Sequence, residues 1–365
     1  EEQVKERIAI FMPALHEGGA QRQMLNLSEG IAARGYQVDF VLAKAEGPYL
    51  PQVPKCVELV DLSEGRPVKW GRTWRSLPAL VRYLRRRRPA AMLAVLDRAA
   101  FAAVAARRIA GVDTTIAVSQ RNTLTVWAEQ SRDWGNWITL RLAKRMFPRA
   151  DAVTTVSHGA ADDLSQVTNI PRDLIDVIYN PVVTPVLKQK MIAPLDHPWF
   201  QPGEPPVVLA VGRLSEQKDY PTLIQSFARL RKSKRARLLI LGEGELRPQL
   251  EDLVKRLGIE SDVGMPGWVE NPYPYMAHAD LFVLSSKFEG LPGVLIEALF
   301  CGAPLVSTDC PSGPREILAD GRYGSLVPIG DVEAITRAMD QALANPKTPP
   351  PRESWQQFEI ETVVD

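Results

Sequence analysis

Histidine and cysteine are scarce in this 365-residue chain, with four of the first and three of the second. Cys56, Cys301 and Cys310 are an odd number without metal-ligand spacing, and each lies next to or within an apolar stretch. They read as reduced packing residues rather than a disulfide framework or a metal site. His158, His197 and His278 also lack ligand spacing and read as structural, and no acidic Asp-x-Asp metal motif is apparent. Nor is there a run of about 18 apolar residues that could span a bilayer. The polar start from Glu1 to Arg7 runs straight into an apolar strand, which is not the layout of a secretory signal. The expectation is a cytoplasmic protein, or one peripheral on the inner face of a membrane.

What is present fits two ordinary globular domains: 45% apolar residues, 24% charged residues and a length beyond one core. The net charge of +1 hides an asymmetry. Residues 1–190 carry 27 Lys/Arg against 19 Asp/Glu, whereas 191–365 carry 17 against 24. Within 51–150 the ratio is 19 to 7, with Arg85 to Arg88 consecutive. One basic face suggests an anionic partner such as phospholipid head groups or a lipid diphosphate, and it also fits a solvated helix end. No nucleic-acid partner is implied.

Strand and helix patterns alternate throughout, which predicts α/β domains with parallel sheets. In the first half, strands are expected at 7–12, 37–42, 90–96, 115–118 and 152–156. Helices are expected at 21–34, 72–88, 98–110, 134–147 and 158–166. Prolines at 181, 185, 194, 198, 202, 205 and 206 then predict an irregular linker. A second series opens at Val207 and repeats the architecture, with strands expected at 207–212, 236–241, 263–268, 281–285 and 304–307. The helices of that series are expected at 220–233, 245–257, 293–301 and 332–344. The expected domains are 1–180, a linker over 181–206, a second domain over 207–345, and a tail over 346–365 with a helix from Glu353 that packs back towards the first domain. Open α/β sheets bind ligands at strand ends, so a cleft shared by two substrates is expected.

The chemistry concentrates in the second half. A strand ending near Ser285 leads through Glu289, Gly290, Leu291, Pro292 and Gly293 into a helix that carries Glu297. Free N–H groups at such a helix start suit a diphosphate, and the glycines allow close approach. Carboxylates beside an anion site are better suited to hydroxyls, which sugars and ribose supply. Taken alone, Glu289 could cap its loop and Glu297 could lie on a helix surface. Gly212-Arg213-Leu214 and Lys218 follow the strand opening the second half; two fixed cations there can neutralise a diphosphate, or simply be solvated. Cations for phosphate and anions for hydroxyls within one domain describe a nucleotide sugar. In the first half, His16, Gly18 and Gly19 open the first helix, as a tight turn or a second phosphate cradle.

The chain resembles the retaining glycosyltransferases of family 4, which have the GT-B fold. The resemblance rests on Gly212-Arg213-Leu214 with Lys218, Leu241 to Gly244, Glu289 with Glu297, Cys301 to Val306, Gly313 to Ile317, and Asp320 to Leu326. It implies two Rossmann-like doubly wound domains facing each other across a cleft. It also implies retaining transfer of a hexose or N-acetylhexosamine from a nucleotide-diphosphate sugar, with UDP the expected carrier. The acceptor would be a glycan or lipid-linked glycan in cell-surface polysaccharide or lipopolysaccharide synthesis. Arg213, Lys218 and Glu289 take the catalytic roles. Arg213 and Lys218 would hold the diphosphate, Glu297 the ribose, and Glu289 with the backbone of Gly290 to Gly293 the transferred sugar. Gly18, Gly19, Gly212 and Gly242 complete the donor site. Trp268 and Val269 fall where such enzymes hold the base, although Trp268 also fits a core position. No cofactor or metal is required by this scheme. Family members often carry a histidine after a middle strand of the first domain; here Ser119 to Thr123 stand there, so Arg121 or Asn122, with His16, are the acceptor-side candidates. A nucleotide-sugar epimerase of related fold and a non-catalytic sugar-nucleotide scaffold are the competing readings. Gly242 and Gly244 are a weak dinucleotide match, because Arg247 replaces the third glycine.

Basic residues with Trp70, Trp74, Trp134 and Trp137 over 70–88 and 134–149 suit a membrane interface. In low salt the protein is expected to float with anionic liposomes more than with neutral ones; equal recovery removes this expectation.

Overall fold

The computed structural model describes residues 5–16, 18–63, 72–126 and 134–365. Trp70 lies outside the described residues, and so does the side chain of Trp134. Two units emerge: residues 1–181 with Ile360–Asp365, and Val182–Glu359.

The first unit holds a seven-stranded sheet in the order β3-β2-β1-β4-β5-β6-β7. The strands are β1 Lys5–Met12, β2 Tyr36–Leu42, β3 Glu58–Asp61, β4 Ala91–Val95, β5 Thr115–Gln120, β6 Ala152–Thr155 and β7 Ile175–Val177. Every pairing is parallel. β1 shows why: Ala9, Ile10, Phe11 and Met12 are all fully buried, so both of its faces pack against other elements. On one face, helix Asp97–Ala110 lies close to the sheet through Ala99, Ala100, Ala102, Ala103 and Ala106. The other face is covered through Met24 and Leu25 of helix Gly19–Ala33.

The second unit repeats this winding in a six-stranded parallel sheet, β10-β9-β8-β11-β12-β13. Its strands are β8 Val207–Val211, β9 Arg237–Leu241, β10 Val263–Gly267, β11 Leu281–Leu284, β12 Leu305–Thr308 and β13 Ser325–Val327. Each unit is therefore a Rossmann-like doubly wound domain. Winding reverses between β1 and β4 in one sheet and between β8 and β11 in the other, and ligands of such sheets bind at that point.

Several details differ from the sequence reading. Edge strands β3, β7 and β13 have only three or four residues and too little alternation to register. The proline-rich stretch includes a regular helix, Pro185–Met191, because Pro185 opens it where no N–H is needed. Thr184 caps that helix, its Oγ1 accepting from the Leu187 N–H at 3.2 Å. The chain end is two short 3₁₀ turns, Arg352–Ser354 and Gln356–Phe358, then helix Ile360–Val364, rather than one helix from Glu353.

The basic run has local partners. Arg85 donates to the Ala110 and Ile109 carbonyls at 3.1 and 2.9 Å, closing the C-terminal end of helix Asp97–Ala110. Arg87 pairs with Glu58. Trp74 and Trp137 are 42% and 69% exposed, so neither belongs to the core.

Cysteine chemistry separates cleanly. Cys56 is exposed, which corrects its reading as a packing residue, whereas Cys301 and Cys310 are buried. Burial, reinforced by the Glu297 carboxylate, pushes the Cys301 thiol up to about 12. Burial with Glu289 does the same for Cys310. A disulfide-exchange reagent at pH 8 should therefore titrate one thiol in the native protein and three after unfolding. Fast reaction at a second native thiol would contradict this assignment.

Candidate functional site

In the second unit the loops after β8 and β11 leave adjacent strands at the reversal point and are stitched together. The Lys287 N–H donates to the Gln217 carbonyl at 2.8 Å, Gln217 Nε2 to the Phe288 carbonyl at 2.9 Å, and Ser285 Oγ to the Lys218 carbonyl at 2.7 Å. This frame brings Lys218 Nζ to Glu289 Oε1 at 2.6 Å, with both side chains largely buried. Ser286 Oγ donates to the same oxygen at 2.6 Å and Gln217 Nε2 to Oε2 at 3.4 Å. Glu289 is therefore a held group and not a loop cap. Tyr220 lies fully inside, its phenol pushed up first by burial and then by the Glu289 carboxylate.

Glycine is required where the loop after β8 meets the loop after β9. Gly242 has a φ of +148°, and a Cβ there would stand 2.0 Å from the Gly212 carbonyl oxygen. A Cβ on Gly244 would come within 2.3 Å of the Leu214 oxygen. A Cβ on Gly212 would stand 3.0 Å from the Tyr220 hydroxyl and 3.3 Å from the Lys218 stem. Any side chain at these points would push the loop after β8 away from its neighbours.

The loop carrying Gly290, Leu291 and Pro292 leads into helix Gly293–Phe300, which starts beside the end of β11 and presents its free N–H groups there. Ser312 Oγ donates to the Gly290 carbonyl at 2.7 Å and pins the loop from behind. Glu297 is 7% exposed, so it is no surface residue, and the Tyr273 hydroxyl donates to it at 3.3 Å.

Other sequence-selected residues stand apart. Arg213 is largely exposed and pairs with Glu245 at 3.2 Å, not with Lys218 or Glu289. Trp268 is 55% exposed, which excludes the core alternative, and with Val269 it follows edge strand β10. In the first unit, Gly18 and Gly19 precede and open helix Gly19–Ala33. A Cβ on Gly19 would meet nothing within 4 Å, so packing within the chain does not require glycine there. His16 is mostly exposed beside Glu46 at 3.5 Å, and Asn122 is exposed. Arg121 is buried, bonded to Asn180 and Ser119, and burial alone lowers its guanidinium to about 10. Ser286, Gln217, Tyr220 and Ser312 were not singled out by the sequence. The closeness of Gln217 and Tyr220 to Lys218, and of Ser286 to Glu289, is the signal that could find those three, whereas Ser312 carries none.

Residues 17–184 match the model for Glycosyltransferase Family 4, and residues 195–359 match that for Glycosyl transferases group 1. The chain belongs to the family 4 glycosyltransferases of GT-B fold. It is 29% identical to the Campylobacter jejuni N-acetylgalactosamine-N,N'-diacetylbacillosaminyl-diphospho-undecaprenol 4-alpha-N-acetylgalactosaminyltransferase, over 94% of this chain and 91% of that protein. Among solved structures, the lipopolysaccharide outer core galactosyltransferase WaaB superposes with a TM-score of 0.74 at 21% identity, over 98% and 97% of the two chains. Anabaena HepE in complex with UDP-glucose gives 0.76 at 19% identity, over 99% and 97%.

The Lys218–Glu289 pair generates a test of this geometry. Lys218→Met should destabilise the fold by about 3 kcal/mol, because Glu289 is left charged and buried. Adding Glu289→Gln should restore most of that loss in urea unfolding. Additive losses would show that the two side chains do not interact.

Proposed function

We propose that this chain transfers a hexose or N-acetylhexosamine from a UDP-sugar, with retention of anomeric configuration, to a glycan or lipid-linked glycan of cell-surface polysaccharide or lipopolysaccharide. The observation that carries the reading is the Lys218–Glu289 pair at the reversal point, with buried Glu297 one turn inside the adjacent helix. Lys218 exchanges its carboxylate partner for the donor diphosphate, which leaves Glu289 free to accept hydroxyls of the transferred sugar. Arg213, exposed on the same loop, adds a second cation, while the start of helix Gly293–Phe300 supplies N–H donors. Glu297 accepts the ribose hydroxyls, and Trp268 and Val269 border the base. The departing diphosphate oxygen takes the acceptor proton on the same face of the sugar, through a transition state resembling an oxocarbenium ion. Lys218, Arg213 and the helix start stabilise the charge that develops on the diphosphate. Metal is not needed in this scheme.

The relatives support the substrate class: one named for an undecaprenol-diphosphate-linked acceptor, one for the lipopolysaccharide outer core, and one bound to UDP-glucose. The basic flank of the first unit remains our proposed contact with an anionic membrane.

Radiolabelled UDP-, GDP- and ADP-sugars offered with bacterial lipid-linked glycans test the reading. Transferred label separates it from an altered free sugar, which marks an epimerase, and from binding alone, which marks a scaffold. Lys218→Ala should lower turnover about 100-fold or more, and a chelator should leave it unchanged. Full turnover without Lys218, or loss of turnover with the chelator, would sink the scheme.

A further inference from the structure

The first unit carries its own polar group at its own reversal point. β4 ends at Val95, and Leu96 turns the chain with φ 77° and ψ 151°, a conformation that costs a leucine about 1–3 kcal/mol. That turn sets Asp97 at the start of helix Asp97–Ala110, beside the gap between β1 and β4. Asp97 Oδ1 is buried and has no hydrogen-bond partner among the described residues. The Gln120 amide from the end of β5 lies against the carboxylate, and Gln120 itself is 4% exposed with its Oε1 unpaired. Three residues on, Thr123 is 3% exposed with an unpaired Oγ1. Buried polar atoms of folded proteins are nearly always paired, so three unpaired atoms at the end of β5 and just beyond β4 and β5 point to a partner from outside the chain. Burial, opposed by Arg98 and Gln120, raises the Asp97 carboxyl to about 6.

We propose that Asp97, backed by Gln120, receives hydroxyl groups of the acceptor sugar. The inference rests on the glycosyl-transfer reading above and adds a specificity-determining residue to it. The chemistry is selective: a carboxylate accepts strongly from sugar O–H groups, while Gln120 Oε1 and Thr123 Oγ1 extend the set of polar atoms. The donor machinery lies in the second unit, on the loops after β8 and β11, so a hydroxyl-binding group at the reversal point of the first unit serves the second substrate. A purely structural Asp97 would act as an acidic residue in the first helical turn, which stabilises the helix. The two roles predict opposite stability changes.

Saturation-transfer NMR on the full chain, with the octyl glycosides of N-acetylgalactosamine, galactose, N-acetylglucosamine and glucose as probes, reads this subsite. UDP binding is measured calorimetrically in the same samples. Ring protons of at least one glycoside should receive saturation, and Asp97→Asn should weaken that glycoside's Kd about tenfold or more. At pH 8 the same variant should melt at a higher temperature, because a carboxylate whose charged form is disfavoured by desolvation is replaced by a neutral group of the same shape. UDP affinity should be unchanged. A wild-type protein that binds none of the four glycosides overturns the proposal, as does an Asp97→Asn variant with wild-type glycoside affinity or a lowered melting temperature. Failure of the wild-type protein to bind UDP strikes the nucleotide-sugar reading instead, while the glycoside data still judge Asp97.

Discussion

A lysine held against a glutamate, both largely out of water, is the constraint around which the second unit is arranged. Neither charge is tolerable there without the other, so the loops that carry them must meet, and each further feature enforces the meeting. The Gln217, Ser285 and Lys287 hydrogen bonds fix the two loops together. Gly212, Gly242 and Gly244 let neighbouring strand ends cross without side chains between them. Ser312 closes the far side of the Gly290 loop. The pair also holds the cation at the point where the sheet reverses, which is where a diphosphate is best received.

Much of this arrangement was legible in the amino-acid order, because the responsible forces are local. Buried parallel strands are continuous apolar runs, and Val207 to Val211 or Leu281 to Leu284 need no tertiary information to be recognised. Lys218, Glu289 and Glu297 each fit a solvated or capping role alone, and they stand out only together, as a cation for phosphate and carboxylates for hydroxyls within one domain. The failures are equally physical. Strands β3, β7 and β13 sit at or near sheet edges and are too short for periodicity to report them. Helix Pro185–Met191 is hidden by its proline, which reads as a breaker where it serves as the first helical residue. Ser286 and Tyr220 are ordinary residue types, and only distance in space gives them meaning. Arg213 and Lys218 lie five apart in sequence yet face different partners, which spacing along a loop does not reveal.

The two units solve the same topological problem with different chemistry. One reversal point is charged with a salt-bridged lysine, and the other holds a carboxylate set against a neutral amide. A sheet that binds a diphosphate gains from fixed positive charge, whereas one that binds neutral polyols gains from acceptors that desolvation leaves unsatisfied. The common scaffold is therefore neutral as to substrate, and the loops beyond the strands decide what each half recognises.

The chain leaves the first unit at Pro181, whose carbonyl accepts from Asn26 Nδ2 at 2.9 Å, and returns to it at Ile360. Ile360 and Val364 then lie on Gly30, where a Cβ would approach their side chains within 3.0 Å, and Arg34 pairs with Asp365. The first lobe is thus sealed by residues that leave the ribosome only after the whole of Val182–Glu359. During synthesis its helix Gly19–Ala33 must wait with an uncovered apolar stripe while the second lobe is translated and collapses. Quality control that acts on nascent chains would meet that stripe uncovered until Ile360–Val364 arrives.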